Sequence, residues 1–354
     1  MAAKLKTAVL GATGYSGMEL VRLLARHSRL EKPLLLKRSA ESGEGDLSAG
    51  FPSVAGNGKN NGNGNGHATV APFSWAALQE HGVGLLFLAT PHGVSRELVP
   101  EALARGLRVV DLSGAWRLKH AEHRAVYGFT DADAVTAAEL DASAVYGLPE
   151  LNADSISDAA LVANPGCYAT SVILGLAPLV SAGLVDCNRG IISDSKSGVS
   201  GAGKEPTART HFVSVADNFS AYSVFGHRHT GEILEQLRID AGQLIFTPHL
   251  LPIPRGILST IYVRFAQVQT HESIARVYHE FFAGSPMVRL YGDHLPEIQD
   301  SVRTNYCDIG FQLAPDGRRA VIVSCLDNLL KGASSQAVQN LNVMLGWPES
   351  EGLE

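Results

Sequence analysis

Residues 6–17 read KTAVLGATGYSG, a short apolar run that breaks into glycines at Gly11, Gly14 and Gly17 just before MELVRLLARH. A buried strand, a tight glycine turn and a helix opening on the turn form the start of a βαβ unit, and few other local structures suit that order. Glycine spacing alone is weak evidence. The flanking strand and helix give it meaning, because the helix N-terminus aims unpaired N–H groups and a positive dipole end at the turn, where a pyrophosphate can bind. The expected cradle is Gly11, Thr13, Gly14, Tyr15, Ser16 and Gly17.

The alternation continues along the chain. PLLLKR is a second apolar run, VGLLFLAT (83–90) a third, and LRVVDLSG (107–114) a fourth, with VSRELVPEALARG (94–106) as an intervening helix. Strands and helices at this spacing predict a Rossmann-type, doubly wound parallel sheet covered on both faces. Residues 56–67, GNGKNNGNGNGH, hold five Gly and five Asn and interrupt that pattern. They have little to bury and read as a flexible surface loop.

Beyond residue 167 the character changes to α+β. YATSVILGLA (168–177) predicts a helix stopping near Pro178, and RGIISDSKSGVSGAGKEP a strand entering a Gly/Ser loop. LSTIYVRFAQV (258–268) alternates like a half-solvated strand, SIARVYHEFFAG is amphipathic, and CDIGFQL and RRAVIVSCLD flank the turn APDG. GASSQAVQNLNVMLG (332–346) predicts a helix with Ala333, Ala337, Leu341 and Met344 on one face, returning to the first domain. A chain of 354 residues exceeds one ordinary core, so two domains are expected.

The end of the second strand selects the dinucleotide. An NAD site carries an acidic residue there for the ribose hydroxyls, whereas Lys37, Arg38 and Ser39 offer a cation and a hydroxyl to a 2′-phosphate. Arg38 and Ser39 therefore point to NADP, with a solvated surface arginine as the competing reading.

Cys167 follows Asn-Pro-Gly and precedes a helix. Position alone allows a buried, inert thiol. With a hydride carrier bound nearby, a cysteine at a helix N-terminus suits a second role: a thiolate, stabilised by the dipole, that attacks an acyl phosphate and carries the acyl group as a thioester. FGHRHTGEI supplies His227 and His229, with Glu232 one turn on. Either imidazole can act as acid and base; His227 is favoured and His229 stays open. No third metal ligand accompanies the pair, so no metal is expected.

Bulk properties exclude other classes. A net charge of −6 gives no footprint for nucleic acid, and no apolar run approaches the roughly 18–20 residues that cross a bilayer. The N-terminus enters a strand pattern at once, and the four cysteines lack zinc or redox spacing, so a cytoplasmic protein with free thiols and a small-molecule substrate is expected.

NPGCYAT, GATGYSG, DLSGAWRL, VYGLPELN, SGVSGAGK, HRHTGEI, TPHLLPIPRGIL and DNLLKGASSQAVQNLN, in that order, resemble the N-acetyl-gamma-glutamyl-phosphate reductase family of arginine biosynthesis, related to aspartate-semialdehyde dehydrogenase. The resemblance covers the whole chain except the Gly/Asn loop. It implies a semialdehyde dehydrogenase-like fold, with residues 1–165 and 328–354 as the NADP-binding domain and 166–327 as the catalytic and oligomerisation domain. It also implies a homodimer or homotetramer and NADPH-dependent reduction of an acyl phosphate through a Cys167 thioester. Arg117 is implied for the acyl phosphate or substrate carboxylate, against a surface role. Ser197, Gly198 and Asn328 are implied along the nicotinamide, and Tyr222 and Arg255 in the substrate pocket. Departures from the family pattern are Ser171, Gly114-Ala115-Trp116 and Gly231. Acyl phosphates of other lengths, and a non-catalytic NADP sensor, remain the rival readings.

Overall fold

The computed structural model describes residues 4–38, 69–292 and 294–354. Ser39 and the Gly/Asn segment 56–67 lie outside the described residues.

The first sheet draws on β1 (Thr7–Leu10), β2 (Leu34–Lys37), β3 (Ala71–Pro72), β4 (Leu85–Leu88), β5 (Arg108–Asp111), β6 (Val145–Tyr146) and β7 (Leu161–Ala163). Its helices are α1 (Tyr15–Arg26), α2 (Trp75–Glu80), α3 (His92–Ala104), α4 (Ala121–Arg124), α5 (Ala134–Ser143) and α6 (Pro149–Ser157). Strand order is β3-β2-β1-β4-β5-β7-β6, and every pairing is parallel. TAVL and LLFL are buried along their whole length, as strands covered on both faces must be. The chain order reverses between β1 and its neighbours β2 and β4, so a crevice opens beyond their carboxyl ends. Gly11 turns there with φ +90°, and a Cβ on it would lie 2.3 Å from the Ala89 carbonyl oxygen. Only glycine lets the two loops come so close.

The second sheet is mixed. It contains β8 (Ile191–Gly198), β9 (Ser220–Ala221), β10 (Leu244–Leu251), β11 (Ile257–Arg264), β12 (Val288–Leu290), β13 (Cys307–Leu313) and β14 (Arg319–Leu326), ordered β12-β13-β14-β11-β8-β10-β9. Helices α7 (Cys167–Ser181), α8 (Phe212–Val215), α9 (His229–Leu237), α10 (His271–Phe281) and α11 (Ile298–Ser301) accompany it, and α12 (Ser335–Met344) follows a π-helical turn, Leu330–Ser334. The predicted hairpin forms, with Cys307 opposite Leu326 and Leu313 opposite Ala320. One face of the sheet packs on α7, α9 and α10, while the other is half-solvated, and this produces the alternating burial along β11.

Two findings bear on the helices. The helix expected to stop near Pro178 runs on to Ser181. A helix-interior proline forfeits a hydrogen bond and costs about 3 kcal/mol, but α7 is buried on nearly every side, and that packing outweighs the penalty. The last helix does return to the first sheet: Ala337, Val338, Leu341 and Met344 share a core with Leu20, Val21 and Leu24 of α1.

Candidate functional site

Cys167 is the first residue of α7, and Gly166 is its N-cap. β7 delivers Asn164, Pro165 and Gly166 to the crevice, and three partners fix that turn. Asn164 Nδ2 donates to the Ala333 carbonyl at 2.9 Å, its own carbonyl accepts from Arg117 Nε at 2.7 Å, and the Gly166 N–H donates to Glu232 Oε2 at 2.8 Å. Glu232 is fully buried and also accepts from Arg117 Nη1 at 3.0 Å and from the Tyr146 hydroxyl at 2.8 Å. One carboxylate thus ties α9 to the turn that carries Cys167. Its role is invisible in the sequence, because Arg117, Tyr146 and Gly166 come from distant segments.

Two cavities meet at Cys167. The first, about 340 Å³, is lined by Gly14, Tyr15, Ser16 and Gly17, by Ser113, Gly114 and Arg117, and by Asn328, Gly332 and Ala333. It is the crevice at the end of β1. The N-cap Gly14 has no side-chain cap, so the first-turn N–H groups of α1 remain available to an anion, and a Cβ at Gly14 would meet only an ordinary 3.7 Å contact. These features fit a dinucleotide pyrophosphate. Gly11 and Thr13 build the turn without lining the cavity. Arg38 is exposed at the end of β2, paired with Glu97 at 3.1 Å.

The second cavity, about 400 Å³, is lined by Tyr168, Ser197, Gly198, Arg209, Tyr222 and His227. Cys167, Arg228 and His229 line both cavities, as do Gly201 and Ala202 from the loop after β8. That loop runs from Ser197 and Gly198 on one side to Gly203 on the other, and Asn328 tethers it by accepting the Gly256 N–H at 2.8 Å and donating to Ser200 Oγ at 2.9 Å.

One assignment needs correction, and one competing reading falls. Arg255 lies outside both cavities; its guanidinium pairs with Glu19 and reaches Asp327 at 3.6 Å. The family signature carries no information on side-chain direction, and two carboxylates draw this one away. Arg117 is not the surface residue of the competing reading: it is buried, it lines the first cavity, and three of its five N–H groups bond the Asn164 carbonyl, Glu232 and the Leu112 carbonyl.

The electrostatics overturn a third expectation. Burial pushes the Cys167 thiol up to about 11; the Tyr168 N–H, Arg117 and Arg228 pull it down only partly, and Glu232 adds to the rise. Dehydration of the charged form outweighs the helix terminus, so the resting sulfur is a thiol. Burial, then Arg228, lowers His227 to about 4, and His229 is lowered by burial, His227 and the arginines. Both imidazoles are neutral at rest. His227 Nδ1 accepts the His229 backbone N–H at 3.2 Å, which places the His227 proton on Nε2. His229 packs so tightly on Gly166 that a Cβ there would lie 2.4 Å from its Nε2, and its buried Nδ1 has no partner among the described residues. Among those residues no group of three His, Cys, Asp or Glu side chains could hold a metal, and no helix is long and apolar enough to cross a membrane.

Known proteins align with this architecture. Residues 6–159 match the family model "Semialdehyde dehydrogenase, NAD binding domain", and 167–328 match "Semialdehyde dehydrogenase, dimerisation domain". The chain is 43% identical over 352 residues to N-acetyl-gamma-glutamyl-phosphate reductase of Pelotomaculum thermopropionicum, covering 98% of this chain and 97% of that one. It is 40% identical over 350 residues to the protein of the same name in Methanocaldococcus jannaschii, with the same coverage. Among solved structures, aspartate semialdehyde dehydrogenase II of Vibrio cholerae superposes with a TM-score of 0.70 at 17% identity, covering 97% of this chain and 98% of that one, a likeness of fold alone.

Proposed function

The chain belongs to the N-acetyl-gamma-glutamyl-phosphate reductase family, and on that premise we propose that it reduces N-acetyl-gamma-glutamyl phosphate to N-acetylglutamate 5-semialdehyde and phosphate, with NADPH, in arginine biosynthesis. The observation that carries this reading is the placement of Cys167 and His229 on the seam between the glycine-turn crevice and the second cavity.

Cys167 Sγ attacks the acyl carbon while its proton passes to the neutral His229 imidazole, the C–O bond to phosphate breaks, and a thioester remains on the sulfur. Bound NADPH supplies the hydride that takes the thioester to the aldehyde oxidation level. The imidazolium then protonates the developing alkoxide, and loss of the C–S bond returns the thiol. His227 and Tyr222 complete the wall against which the acyl chain lies. Gly14–Gly17 would hold the pyrophosphate, and Arg38 would receive the 2′-phosphate in place of Glu97.

Residues 1–165 with 328–354 form the nucleotide half, and 166–327 the catalytic half. Ile192, Ile245 and Tyr262 are direct cross-strand neighbours on the solvated face of the second sheet, each more than two-fifths exposed, and this apolar row supports assembly of two copies through that face. The enzyme works in the cytoplasm.

Rapid-mix mass spectrometry of the intact protein with N-acetyl-gamma-glutamyl phosphate and no NADPH tests the mechanism. An acyl adduct on Cys167 is expected. Cys167→Ser is expected to lose the adduct and turnover while still binding NADPH; appreciable activity in that variant would refute the covalent route.

A further inference from the structure

Arg228 and His92 face each other across the seam with two donors and no acceptor. His92 Nδ1 accepts the Gly114 N–H at 2.9 Å, so a neutral ring carries its proton on Nε2. Arg228 Nη1, which can only donate, lies 3.0 Å from that Nε2. Protonation of His92 offers no escape, since burial and then Arg228 hold it down to about 4. The ring is also clamped, edge-on to Tyr127 at 4.9 Å and Phe129 at 6.4 Å between centroids. Two N–H dipoles held this close without an acceptor are an arrangement that an anion resolves.

The surroundings favour the same ligand. His92 opens the thirteen-residue helix α3, whose N-terminus has no side-chain cap, and it lines the cavity that Cys167 also lines. Arg228 lines that cavity and the second one alike. Arg228 Nη1 hydrogen-bonds only His92 among the described residues, whereas three of the five N–H groups of Arg117 are already engaged. A phosphoryl group set between Arg228 and His92 would sit beside the nucleophile and clear of the glycine turn.

We propose that Arg228 and His92 bind the phosphoryl group of the acyl phosphate and the inorganic phosphate it becomes, each donating an N–H to a phosphate oxygen. This rests on the acyl-phosphate reading of the site. As Sγ bonds to the acyl carbon, the electron pair of the breaking C–O bond goes to the phosphate oxygen. The proton that left the thiol, carried by His229, neutralises part of the charge, and the two donors stabilise what remains.

The reverse reaction makes phosphate a substrate with a KM of its own. With semialdehyde and NADP in excess, His92→Ala and Arg228→Gln are each expected to raise the KM for inorganic phosphate at least tenfold. The KM for the semialdehyde is expected to move by less than about twofold. Calorimetric titration of inorganic phosphate into the NADP-loaded enzyme gives a readout that needs no turnover, and both variants are expected to lose most of that binding. Unchanged phosphate affinity in both would overturn the assignment. So would weakened NADP binding with phosphate untouched, which would give the pair to the cofactor's pyrophosphate. Arg228 is exposed, so Arg228→Gln keeps the test open should His92→Ala fold poorly. Wild-type protein that binds phosphate at this pair yet turns over no acyl phosphate would sink the reductase reading separately.

Discussion

Cys167 is a case in which a residue's neighbours along the chain and its neighbours in space pull in opposite directions. A helix N-terminus favours the thiolate, but burial at the seam and the nearby Glu232 carboxylate favour the thiol, and burial is the largest effect. Iodoacetamide alkylation of the ligand-free enzyme at Cys167 should therefore keep accelerating with pH beyond 9; a plateau at neutral pH would show a preformed thiolate. Arg38 makes the second residue-scale prediction. Its guanidinium is two-thirds exposed and its pairing with Glu97 is a surface contact worth at most about 1 kcal/mol, so a phosphate dianion can displace that carboxylate. Arg38→Ala should weaken NADPH binding at least tenfold and NADH binding by less than about twofold; equal losses would remove the 2′-phosphate from this residue.

At the scale of elements, helix α7, which Cys167 opens, and the π-helical turn Leu330–Ser334 form one unit. Gly332 lies so close that a Cβ on it would fall 2.7 Å from Cys167 Cβ and 3.1 Å from a Leu326 methyl group. Ser334 Oγ donates to the Ser16 carbonyl at 2.7 Å, which binds the same turn to the start of α1. The turn thus sets the distance between the sulfur and the glycine turn before α1. Gly332→Ala should overpack this contact, costing about 1–3 kcal/mol in denaturant unfolding. Thioester formation should slow at least tenfold as the sulfur shifts; an unchanged rate would mean that the turn merely fills space.

For the whole molecule, the buried neutral histidines make the fold sensitive to acid. His227 is lowered to about 4 and His229 is lowered as well, while an unfolded histidine titrates near 6.5. The unfolded chain therefore binds protons that the folded one refuses, so their contribution is complete above pH 6.5 and is lost as pH falls toward 4, at up to ~1.4 kcal/mol per pH unit for each ring. Urea midpoints should drop across that window, and His227→Gln should flatten the slope; a midpoint independent of pH from 7 to 4.5 would contradict the burial of these rings. The same balance between local and distant contacts divides what the sequence by itself determined from what folding decided. Gly11, Gly14 and Gly17 between an apolar run and an amphipathic helix specify the nucleotide crevice, and Pro165-Gly166 before Cys167 places a thiol at a helix start, because these are relations among residues a few positions apart. Glu232 joining Arg117, Tyr146 and Gly166, Arg255 turned toward Glu19, and His92 held against Arg228 are contacts between segments tens to hundreds of residues apart. Their energies depend on burial and on the facing charge, which exist only once both sheets have closed around the seam.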